Sequence, residues 1–112
     1  MTRVTDLFSP LVFRQNGHAL IDLLTEHLQD AAAGRLDSVM PRGTPAAHAA
    51  RFTGDFPEVG DGDVLRVVAE ALGSSTALHS PGFIGHQVAT PLPDAALCDL
   101  AAALLNNGMA VF

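Results

Sequence analysis

The stretch Pro93-Asp94-Ala95-Ala96-Leu97-Cys98-Asp99-Leu100-Ala101-Ala102-Ala103-Leu104-Leu105-Asn106-Asn107-Gly108 decides what kind of fold this chain can adopt. Proline at a first-turn position costs nothing, because that N–H has no intrahelical acceptor and the ring already holds a helical φ. Asp94 sets a negative charge at the positive end of the helix dipole. Leucines follow at 97, 100, 104 and 105, a helical spacing. The alanines between them let a neighbouring backbone approach closely. Asn106-Asn107-Gly108 tolerates the left-handed conformation that ends helices, so a stop is predicted there. The chain therefore reads as mainly α, with its last helix a packing surface. Met109, Ala110, Val111 and Phe112 stay apolar to the last residue, where chain ends more often turn polar. The expectation is a segment that continues elsewhere.

Working outward, Ser74 to Pro93 carries Pro81, Gly82, Gly85 and Pro91 and reads as a loop. Before it, Val64, Leu65, Val68 and Leu72 share one face of a helix predicted over Asp63–Leu72. Asp61 or Gly62 is available as its cap and Gly73 as its stop. The stretch from Gly34 to about Gly62 contains Pro41, Pro45 and Pro57 without sustained periodicity, and only Ala46–Phe52 reads as a helical turn. Connections this long are uncommon inside a compact domain, so this one is expected to lie as a strap over another body. From Leu7 to about Ala33, Leu7, Phe8, Leu11, Val12, Leu20, Leu23, Leu24 and Leu28 recur at helical spacing. Ser9 or Asp6 is the candidate cap, Pro10 suits the first turn, and Gly34 ends the helix. Gly17 inside that pattern costs about 1 kcal/mol relative to alanine, which leaves room for a kink at Asn16-Gly17, but the pattern still reads as one long amphipathic helix. The expected architecture is three helices joined by long loops.

Composition narrows the function. Hydrophobic residues make up 48% of the 112 and charged residues 16%, too apolar for a disordered acidic tail. Twelve acidic residues against six arginines give a formal charge of −6, which disfavours a phosphate backbone and therefore nucleic acid. No basic run points to an anionic membrane, and the apolar tract Ala95–Leu105 is too short to span a bilayer. No signal peptide is evident, so the default compartment is the cytoplasm. The single cysteine, Cys98, excludes an internal disulfide. With no basic neighbour in sequence, it is expected to be a buried, inert thiol. Lysine is absent altogether, so no side-chain amine is available for Schiff-base chemistry.

Leu78-His79-Ser80-Pro81-Gly82-Phe83-Ile84-Gly85, then Pro91 to Leu105, then Asn106-Asn107-Gly108-Met109, resembles the N-terminal region of the group II pyridoxal-phosphate (PLP) dependent amino-acid decarboxylases. That family includes the glutamate, aromatic-amino-acid and diaminobutyrate decarboxylases. Phe13-Arg14, Gly17 and Asp22 resemble its opening helix. The likeness implies that residues 1–112 form a helical dimerisation and wrapping segment, an N-terminal extension packed on a large α/β PLP domain of fold type I carried elsewhere. It implies a carboxy-lyase acting on an L-amino acid, with PLP bound by that other domain and a second subunit as partner. By position it implies that His79, Phe83, His86, Gln87 and Thr90 line the substrate pocket. Met109 and Phe112 then approach the active site of the partner subunit. No catalytic residue and no metal ligand is assigned to this chain, which alone is expected to be inactive. His86-Gln87-Val88-Ala89-Thr90 lacks the bulky aromatics of members acting on aromatic substrates, which leaves the amino acid open.

Each of these residues also has a plainer reading. His79 before Ser80-Pro81 can bond a loop carbonyl as a purely structural group, and His86 and Gln87 can be solvated loop polars. His79 and His86 stand seven apart without a third ligand at metal spacing. Gly82-Phe83-Ile84-Gly85 is no phosphate-binding fingerprint, since no strand precedes it and no helix starts directly after it. The alternative function is a free-standing helical adaptor that dimerises through the stripe at Leu97, Leu100 and Leu104 and carries no chemistry.

Overall fold

A computed structural model describes Asp6 and residues 8–52, 63–84 and 88–106. It contains α1 (Pro10–Ala32), α2 (Pro45–Ala49) running into a 3-10 turn (Ala50–Phe52), α3 (Val64–Ser74) and α4 (Pro93–Leu105). No strand occurs among the described residues. The mainly α expectation holds. The three expected helices are α1, α3 and α4, and the helical turn foreseen at 46–52 is a fourth, short helix.

Local chemistry explains the boundaries. Ser9 is the N-cap of α1, its hydroxyl accepting from the Val12 N–H at 3.4 Å, with Pro10 in the first turn. The helix continues through Asn16-Gly17 unbroken, as one long helix is expected to. Glycine there weakens the helix without removing any backbone hydrogen bond, so the ladder carries across it. At the other end Gly34 adopts φ +67°. Its N–H donates to Ala31 O at 3.1 Å, and the Arg35 N–H donates to Asp30 O at 2.9 Å. That is the paired closure of a Schellman motif, reinforced by Arg35 Nε donating to Asp30 Oδ1 at 2.8 Å.

The cap of α3 is Asp63, its carboxylate accepting from the Arg66 N–H at 2.9 Å, in place of the anticipated Asp61 or Gly62. Gly73 does not stop the helix, which runs on to Ser74. The Ser74 and Ser75 hydroxyls donate to the carbonyls of Glu70 and Ala71, adding side-chain donors at the last turn of the helix. α4 starts on Pro93 and stops on Asn106 at φ 41°, ψ 42°, as the sequence predicts. Its N-cap position is Leu92, which makes no side-chain capping bond.

Packing is uneven. α1 and α3 pack against each other, whereas among the described residues α4 packs against no other helix. Leu65, Val68 and Leu72 of α3 and Leu20, Leu23, Leu24 and Leu28 of α1 are half-buried. Val64, Phe8 and Leu11, expected on the apolar faces, are exposed. Among the described residues only Ala31, Ala77 and Ser80 are buried. The accessible surface is 9583 Å², against about 5,900 Å² for a compact monomer of this mass. The radius of gyration is 17.0 Å, against about 13 Å for a compact chain of this length.

The excess surface is conspicuous on α4, where every residue is exposed. Leu104 stands 67% open and Leu97 50%. Cys98 is exposed too, which corrects the expectation of a buried thiol. A cysteine on a helix is shielded only by what that helix packs on, and among the described residues α4 packs against no other helix. Among the described residues no helix is long and apolar enough to cross a membrane.

Candidate functional site: the turn and loop between α3 and α4

The loop after α3 begins at an anchored turn. The Ala77 N–H donates to Val39 O at 2.8 Å, tying it to the connection after α1. Ser80 N–H donates to Ala77 O at 3.1 Å and Phe83 N–H to Ser80 O at 2.9 Å, while the Ser80 hydroxyl accepts from Gly82 N–H at 3.2 Å. A Cβ on Gly82 would lie 3.1 Å from Val39 Cγ2, so glycine permits the turn to sit this close to Val39. Ser80 and Ala77 are buried because the turn folds back on itself here.

Two side-chain bonds then close the loop at its far end. His79 Nε2 lies 3.0 Å from Pro91 O, and Thr90 Oγ1 donates to Leu78 O at 3.1 Å. A carbonyl oxygen can only accept, so Nε2 carries the proton and Nδ1 is left as the other ring nitrogen. Residues 78–79 and 90–91 are thereby held side by side. Each bond joins residues 12 apart in sequence, a closure that would otherwise rest on backbone alone.

Of the residues assigned to a substrate pocket, the structure brings His79 and Thr90 together, each bonded to backbone. Phe83 is half-buried in the turn. His86 and Gln87 lie outside the described residues, as do Met109 and Phe112. The bond of His79 to a loop carbonyl is the plainer role foreseen for it. It leaves Nδ1 as the ring atom with capacity to meet a ligand.

The PLP implied by the family resemblance can be tested against the residues present. Holding it as an imine requires a lysine, and the chain has none. The polar ends of His79 and Thr90 face Pro91 O and Leu78 O, and among the described residues this loop presents no arginine for a phosphate. The residues of this chain do not fit the cofactor. Among the described residues no group of three His, Cys, Asp or Glu is placed to hold a metal ion.

A second polar feature went unread in the sequence. A groove of about 420 Å³ lies between the end of α1, the connection that follows it and the end of α3, lined among others by His27, Asp37, Arg42, Arg51, Leu72 and Ser75. Its residues are scattered over 49 positions of a partly aperiodic stretch, Asp37, Arg42 and Arg51 outside any sustained pattern, so only the packing of α1 on α3 assembles them. No family model, curated protein or solved structure matches this chain.

Proposed function

We propose that these residues are the N-terminal segment of a PLP-dependent amino-acid carboxy-lyase, acting in an assembly whose cofactor is held by another domain or polypeptide. The segment contributes subunit contacts through α4 and one wall of a substrate pocket through the loop between α3 and α4. The observation that carries this reading is a helix that, among the described residues, packs against no other helix, directly after a His-Ser-Pro loop stapled at its base. A helix apolar around most of its circumference belongs in a larger core, and uncovered apolar area of this extent marks an interaction surface.

The chain's own work is positional. His79 and Thr90 hold the loop base, and His86 and Gln87 on the loop meet the polar groups of an L-amino acid while α4 keeps the assembly closed to water. The segment is a cytoplasmic one on this reading and needs neither nucleic acid nor membrane. The second reading, a helical adaptor self-associating through α4, is favoured by the absence of lysine.

Co-expression with the PLP-binding polypeptide of the same source, followed by separate assays of assembly and decarboxylation, tests the proposal. Gln87→Ala and His86→Ala should leave assembly intact and lower kcat/KM about ten- to a hundredfold, the loss of one hydrogen bond to a charged substrate group. Wild-type kinetics in both variants would remove the pocket role. Failure of any lyase to assemble with the chain would leave the adaptor.

A further inference from the structure

We propose that the groove between the end of α1 and the end of α3 binds a small molecule bearing an oxyanion, a carboxylate or a phosphate monoester, through Arg42 and Arg51. This does not rest on the decarboxylase reading. Five of the six arginines are described. Arg35 is paired with Asp30 at 2.6 Å and Arg66 with Glu70 at 2.9 Å. Arg42 and Arg51 have no ion pair among the described residues, and both line this groove.

Their positions are built by local structure. Gly43 takes φ +149°, and a Cβ there would come 3.0 Å from His48 Nε2, so the imidazole of α2 lies on the turn that carries Arg42. Thr44 caps α2, its hydroxyl accepting from the Ala47 N–H at 3.2 Å, and the 3-10 turn continuing α2 carries Arg51. Both arginines therefore belong to one short unit, facing a wall made by His27 of α1 and by Leu72, Gly73 and Ser75 at the end of α3.

Charge and size define the ligand. Arg42 and Arg51 against Asp37 leave the groove at +1, counting His27 as neutral, in a chain of formal charge −6. The Ser38 and Ser75 hydroxyls donate to Met40 O and Ala71 O, so recognition of an anion falls to the guanidinium groups. Their planar donor pairs match carboxylate and phosphate oxygens. Asp37 and the negative end of the α3 dipole count against a polyphosphate. A volume of about 420 Å³ suits a metabolite-sized molecule rather than a polymer.

The test titrates the 112-residue chain, followed by amide NMR, with succinate in one arm and inorganic phosphate in the other, at constant ionic strength. At least one probe should give saturable shifts at Arg42, Arg51 and Ser75, and the stronger arm names the oxyanion. Arg42→Gln and Arg51→Gln should each weaken binding about tenfold or more, with unchanged far-UV circular dichroism. Arg14→Gln, on α1 away from the groove, should bind as the parent does. Linear shifts spread over the surface in both arms, or arginine variants that titrate like Arg14→Gln, would overturn the proposal. So would an isolated chain whose spectrum shows no ordered α1 and α3, because the groove would not exist.

Discussion

α1 and α4 both open on a proline, yet they relate to the rest of the chain in opposite ways. α1 has a serine cap, a Schellman closure at Gly34 and a packing partner in α3. α4 has a leucine at its cap position, a left-handed asparagine at its end and no helical partner among the described residues. Thirteen residues is a length at which an isolated helix is marginal in water, since nucleation is costly and most helical stability comes from tertiary packing. The difference teaches that α1 and α3 carry part of their own support, while α4 gets none from another helix among the described residues.

The strongest way to break this comparison is Leu100→Asp. If α4 is an assembly surface, a carboxylate set into its apolar contact should weaken association at least a hundredfold, as expected when an unpaired charge must be buried. Sedimentation of the variant with its partner, or of the chain alone for self-association, reads this directly. Unchanged association would return α4 to a solvated helix.

A smaller effect is expected at the staples between the two regions. Thr90→Val and His79→Ala each remove one side-chain bond across the loop base, worth about 1 kcal/mol. Amides in the loop should then exchange about fivefold faster while those of α1 and α3 do not change. Equal acceleration everywhere would mean that the loop base supports the whole chain rather than the loop.

The smallest effect sharpens the comparison from the other side. Leu92→Ser gives α4 the side-chain cap that α1 already has, and such caps contribute roughly 0.5–2 kcal/mol to helix stability. Helical content by circular dichroism should rise slightly. The same substitution should leave the α1–α3 contacts unchanged by NMR.

Much of this was legible from residue types alone, because it depends on near neighbours in the chain. Ser9 with Pro10, Gly34, Pro93 and Asn106 mark helix ends through effects acting within one turn, and the structure has them there. The misplaced features are those where a competing local partner decided. Asp63 stood closer to the first turn of α3 than Asp61, and Ser74 with Ser75 could extend the helix past Gly73. Of the candidate site, the His-Ser-Pro turn was visible as a motif, but its closure by His79 on Pro91 and Thr90 on Leu78 was not, since a hydrogen bond across 12 residues has no periodic signature.

By itself, then, the sequence determined the helical class, the ends of α1 and α4 and the absence of a side-chain amine, because each follows from backbone preference or composition. Only tertiary structure decided that α1 pairs with α3, that Arg42 and Arg51 share a groove with His27, and that Leu97, Leu104 and Cys98 stand open to solvent. The physical reason is that an apolar stripe states that a helix face wants cover. Which surface covers it depends on geometry across the whole chain, and for α4 no other helix among the described residues supplies that cover.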